Sequence, residues 1–187
     1  MVLFTGQELL ELVIMTLALG YIFMIYVQRP STHLDLLGGK NLAWEDFKFA
    51  ILITAPAVVL HELAHKFAAL TMGLAATFHA SYFGLGIGVL LRFFSSPFIV
   101  FVPGFVEIHG ATALQSALTA FMGPGTNLLL FLIAAGILKR AKKLTQKQLV
   151  FLHLTKQINL FLFLFNMIPL APFDGGHVFG GLLKTIF

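Results

Sequence analysis

Residues 58–70 read VVLHELAHKFAAL, two histidines and a glutamate inside one of the most apolar runs of the chain. On a helix, His61 and His65 stand four residues apart, on one face and about 5–6 Å from each other. That separation lets two imidazoles converge on one zinc ion, with Zn–N distances of about 2.0–2.1 Å. Glu62 lies about 100° round the helix from His61, beside such an ion and not on it, which suits a general base. The competing reading is a polar helix face with no function. The surroundings argue against it, because an unpaired ionisable group inside a membrane costs about 2.5 kcal/mol or more.

Composition makes those surroundings a membrane. The 187-residue chain is 58% hydrophobic and 11% charged, with a mean hydropathy of +0.92. Soluble domains average about 45–50% apolar residues and about a quarter charged. The 21 phenylalanines suit a lipid-facing surface. With no cysteine there is no disulfide framework, thiolate metal site or cysteine nucleophile. The net charge of +4 comes largely from one loop and points to membrane orientation, with no nucleic-acid partner. The first 27 residues lack a basic start and a small-residue cleavage site, so they read as a retained span and not as a signal peptide.

Hydropathy outlines the spans, each judged against the roughly 20 residues a helix needs to cross a bilayer. The first runs over about 9–27. A polar loop, QRPSTHLDLLGGKNLAWEDF, follows with Pro30, Gly38-Gly39 and the interfacial anchor Trp44. The second span covers about 47–70 and carries the opening stretch, with Gly73 as its C-cap. Residues 75–108 are apolar but broken at Arg92, Pro97 and Pro103-Gly104, with strand-like pieces such as FIVFVPGFVEI. A third span is expected over about 114–138, interrupted at Gly123-Pro124-Gly125. The basic loop KRAKKLTQK follows. Thr145 and Gln148 form a capping box that opens a last long helix to about Pro169. No internal repeat or second domain is evident.

A catalytic zinc normally has three protein ligands. Of the acidic residues, Asp174 in NMIPLAPFDGGH is the best third candidate, placed on an ordered non-helical turn by Pro169, Pro172 and Gly175-Gly176. His177 and Glu107 are the alternatives.

With these residues in place the chain resembles the site-2 proteases, zinc metalloproteases that cleave inside the membrane. His61-Glu62-Leu63-Ala64-His65 matches their H-E-x-x-H. Asn166, Pro169, Asp174 and Gly175 match their N-x-x-P followed by Asp-Gly, and Gly123, Pro124 and Asn127 match a Gly-Pro-x-x-Asn element. The resemblance implies one zinc ion (Zn2+) per chain held by His61, His65 and Asp174, with Glu62 as base. It also implies that Asn166 holds the substrate backbone or the developing oxyanion, with Asn127 as a helper near the site.

The expected fold is an all-α polytopic membrane protein of about four to six transmembrane helices, with a re-entrant or β-like hairpin between the metal-binding helix and the next span. Residues 1–187 are expected to form a single transmembrane metalloprotease domain, core about 47–177, with no soluble regulatory domain. A parity argument supports the hairpin. The His61/His65 pair and Asp174 both lie toward the C-terminal ends of their helices, so those helices must run parallel. Residues 75–108 must then return to the side they left, lining a wet cavity where irregular backbone is tolerated. Their strand-like end, about 98–108, is expected to pair with an unwound substrate.

Orientation brings two arguments into conflict. The family usually places its centre near the cytoplasmic face, which puts the basic loop outside. The positive-inside tendency puts that loop inside with Arg29, Lys40 and Lys48. The family placement is adopted. The function expected is hydrolysis of peptide bonds in transmembrane segments of other membrane proteins, in the bilayer of the cell membrane, alone or with a regulatory partner or second copy. The alternatives are a non-proteolytic zinc-binding membrane protein and a metal transporter. Neither would need Glu62 beside the ligands.

Overall fold

The structure is a computed structural model, and it describes residues 3–27, 42–96 and 102–186. Six helices and one two-stranded sheet occur among these residues, in the order α1 (Gly6–Phe23), α2 (Leu42–Thr71), β1 (Ala75–Ala80), α3 (Tyr82–Phe93), β2 (Gly104–His109), α4 (Ala113–Arg140), α5 (Gln146–Asn166) and α6 (Asp174–Ile186). The expected loop with Pro30 and Gly38-Gly39, and the Pro97 break with the start of the expected strand, lie outside the described residues.

Four helices, α1, α2, α4 and α5, are long and apolar enough to cross a membrane. The distribution of side chains supports that reading. Polar and charged groups such as His61, Glu62, Lys66, Asn127 and Asn159 are buried, whereas Leu129, Leu132, Ile133 and Leu164 are exposed. That is the inverse of a soluble protein and fits a lipid solvent. The chain is a multi-pass membrane protein.

Local signals set several of the boundaries. Thr5–Glu8, Thr112–Gln115 and Thr145–Gln148 each close a capping box, opening α1, α4 and α5. Helix α2 ends where expected. Gly73 adopts φ +77°, and the Gly73 and Leu74 N–H groups reach back to Leu70 and Ala69 C=O, the nested pair of a Schellman cap. The same helix begins earlier than hydropathy suggests, so Trp44 lies in its first turn, exposed and stacked on Phe47.

Two expectations are corrected. Gly123-Pro124-Gly125 does not interrupt the third span, because α4 runs unbroken from Ala113 to Arg140. Neighbouring helices supply the packing that propensity lacks. Asp174, Gly175 and Gly176 do not lie in a non-helical turn, since they open α6. The irregular stretch is residues 167–173, between α5 and α6.

The hairpin is present in more elaborate form than composition indicates. Strands β1 and β2 pair antiparallel with Ala75 opposite His109 and Ala80 opposite Gly104, so the segment ends where it began. Helix α3 fills the intervening loop. Its 12 residues span about 18 Å, short of the roughly 30 Å hydrocarbon core. Met15 and Leu19 of α1 pack with Phe78, Ala80 and Leu85 into the core that seats the hairpin. Helix α4 packs against α2, α5 and α6, and this arrangement brings the two motif regions together.

Candidate functional site

His61 and His65 project from α2 toward α4, and both are buried. His61 Nδ1 lies 2.7 Å from Asn127 Oδ1, and His65 Nδ1 lies 2.8 Å from the Thr119 C=O. The Asn127 orientation is fixed, because its Nδ2 donates to the Ala57 C=O and to Asn159 Oδ1, both at 2.9 Å. Asn159 is fixed in turn by donating to the Thr155 C=O at 2.8 Å. Oxygen therefore faces both Nδ1 atoms. Each imidazole must donate from Nδ1, which leaves the Nε2 lone pairs aimed inward, the tautomer a metal ligand needs.

The inward atoms meet Asp174. His61 Nε2 lies 3.1 Å from Asp174 Oδ2 and His65 Nε2 lies 3.4 Å from Asp174 Oδ1, while the two Nε2 atoms are 3.1 Å apart. Two lone pairs and a carboxylate this close need a shared cation. Tetrahedral zinc with bonds of about 2.0–2.1 Å spaces its ligand atoms by about 3.3 Å, so the donor set fits zinc in chemistry and in separation. Among the described residues, His61, His65 and Asp174 are the group that could hold a metal ion. As the third member of the group Asp174 would serve as its carboxylate anion, the form that metal binding requires.

Two glycines make the approach possible. A Cβ on Gly123 would strike both imidazoles, so α4 can pass the histidines this closely only without a side chain. A Cβ on Gly175 would strike the Met167 and Ile168 carbonyls, so the first turn of α6 needs glycine to seat Asp174 over the end of α5. The glycines of the Gly-Pro-x-x-Asn and Asp-Gly elements thus admit the close approach of these side chains.

A cavity of about 540 Å3 opens on the group, and His61, Glu62, His65 and Asp174 all line it. Asn166, the last residue of α5, and His177, in the first turn of α6, line it too. Glu107, the other alternative ligand, lies away on β2 beside His79 and His109, at 3.6 and 3.4 Å. Sequence reading did not anticipate Asn159, although it stands seven residues before Asn166 on the same helix face. Nor did it anticipate the buried pairing of Lys66, next to His65, with Glu8 of α1.

Comparison with known proteins gives the family. The model of peptidase family M50 matches residues 134–187. A protein of Methanocaldococcus jannaschii named "Putative zinc metalloprotease MJ0611" is 32% identical over 181 residues, covering 94% of this chain and 84% of its own length. A Synechocystis protein named "Putative zinc metalloprotease sll0528" is 29% identical over 170 residues, covering 91% of this chain but 40% of its own length. No solved structure matches significantly. With 32% identity across 84% of the Methanocaldococcus protein, the chain belongs to peptidase family M50, the site-2 protease family.

Proposed function

We propose that the protein is an intramembrane zinc endopeptidase of the cell membrane, hydrolysing peptide bonds in transmembrane segments of other membrane proteins. One observation carries this reading. Three zinc-type donors with ligand-like separations share a cavity with Glu62, within a set of membrane-spanning helices. His61, His65 and Asp174 would hold one zinc ion, which when bound supplies Lewis-acid activation of water and of the scissile carbonyl.

The chain's own residues supply the rest. Glu62 takes the proton of the attacking water and returns it to the leaving amine as the C–N bond breaks. Asn166 donates its side-chain N–H to the substrate carbonyl or to the oxyanion that develops from it. Asn127 holds His61 in the metal-binding tautomer, with Asn159 behind it. A substrate helix hides its carbonyls in hydrogen bonds, so it must unwind before attack. The cavity wall formed by Gly104, Val106 and Ile108 of β2 offers a strand edge on which an unwound segment can pair.

The test is to reconstitute the full chain in liposomes with single-span membrane proteins and map the new termini by mass spectrometry. Termini inside the spans, lost on treatment with 1,10-phenanthroline and regained with added zinc, are expected. Termini only in soluble regions, or cleavage indifferent to chelation, would contradict the reading. A metal transporter would instead move zinc without producing termini.

A further inference from the structure

The α1 carboxylates meet the sheet in a way that catalysis does not explain. Glu8 and Glu11 are each 3% exposed within an apolar span. Each divides its two oxygens between its own helix and β1. Glu8 Oε2 closes the α1 capping box with Thr5, while Oε1 accepts the Phe78 N–H at 2.8 Å and pairs with Lys66. Glu11 Oε1 accepts from Gln7 at 2.8 Å, while Oε2 accepts the Ala80 N–H at 2.7 Å. Phe78 and Ala80 are alternate residues of one strand, so both N–H groups face the same edge. The two glutamates, one helical turn apart, stand where the acceptors of a neighbouring strand would stand.

Register fixes the other edge. Since Phe78 and Ala80 point away from β2, their partners Val106 and Gly104 point away from β1, and Ile108 does so with them. Among the described residues no strand pairs with that second edge. The cavity lies against this strand, since its lining includes Gly104, Phe105, Val106 and Ile108 of β2 and no residue of β1.

We propose that Glu8 and Glu11 are positioning residues that close the outer edge of β1, leaving β2 as the single edge at which an unwound substrate strand can dock. An open strand edge accepts any extended chain, and both edges of a two-stranded hairpin are open by default. Two carboxylates occupy two successive outward N–H groups of one of them, those of Phe78 and Ala80. Lys66 supplies the counter-charge that lets Glu8 remain in an apolar span, and it ties the cap to the helix that carries His65. This inference rests on the protease reading for the identity of the strand that docks, but not for the cap itself.

The experiment uses the full chain in lipid nanodiscs. Residue-resolved amide hydrogen exchange is compared for wild type, Glu11→Gln and Glu11→Ala. Glutamine keeps the acceptor oxygen, so Ala80 stays protected in that variant. In alanine, exchange at Ala80 rises by about tenfold, what loss of one charge-assisted hydrogen bond gives, while exchange in α4 and α5 is unmoved. Equal exchange at Ala80 in all three proteins overturns the cap.

The chain has no cysteine of its own, so disulfide capture can report which edge docks a strand. The probe is an apolar 20-residue peptide with a central Asn-Pro and one cysteine, in a Glu62→Gln background. Capture is expected at Val106→Cys on β2 and not at Thr77→Cys on β1. Capture at Thr77→Cys with the cap intact overturns the single-edge consequence. Capture at neither position, with Ala80 protected, overturns instead the reading of β2 as the substrate strand.

Discussion

Glu62→Gln is expected to lower peptide hydrolysis by at least about a hundredfold, the lower end of what a general base contributes, while leaving bound zinc at the wild-type level. The carboxamide keeps the size of the carboxylate but cannot accept the proton of water. Glu62 lines the cavity without belonging to the group formed by His61, His65 and Asp174, so its replacement leaves that donor set whole. Metal analysis and cleavage must be measured on the same sample. Loss of both would make Glu62 a contributor to metal binding, and persistence of cleavage would remove it from the mechanism. The same variant separates a protease from a metal carrier, whose flux has no need of a base. A catalytically dead protein with intact zinc would also serve to retain substrates.

Lys66→Met is expected to destabilise the protein by about 3–5 kcal/mol, the cost of stranding one partner of a buried ion pair. Lys66 is 1% exposed and Glu8 3%. Methionine fills most of the volume of the lysine stem but leaves the Glu8 carboxylate with the Phe78 and Thr5 donors and no cation. At roughly 2–4 °C per kcal/mol for a chain of this size, the melting midpoint in nanodiscs should fall by about 6–20 °C. Adding Glu8→Gln to Lys66→Met should restore most of the loss, because a carboxamide needs no counter-charge and its oxygen still accepts from Phe78. A single variant as stable as wild type, or a double variant no better than the single, would show that the pair contributes little.

The centre was more legible in the sequence than the scaffold around it. H-E-x-x-H fixes its own geometry, because helical spacing alone places His61 and His65 on one face. Asp174 could be placed near them because few acidic residues were available and the two motif regions had to meet at one membrane level. The return of residues 75–108 followed from the same parity. What stayed hidden depends on contacts between segments distant in sequence. Glu8 and Glu11 read as polar residues at the start of a span, since nothing local reveals that β1 lies beside them. The β1 strand itself, AATFHA, is short and of mixed propensity, and its pairing with β2 decides its conformation. The α4 helix contradicts its own Gly-Pro-Gly. There, close passage past two imidazoles requires Gly123, and the packing of α2, α5 and α6 outweighs propensity.

The proposed protease depends first on three residues from two distant motifs holding one metal ion. Zinc content of the purified protein after gentle chelation, wild type against Asp174→Ala, measures this without requiring a substrate. Wild type is expected to retain about one zinc per chain, the complement of a single catalytic site, and the variant to lose it. Wild type without zinc, or a variant that holds it equally well, would contradict the His61–His65–Asp174 centre and return His177 and Glu107 to consideration.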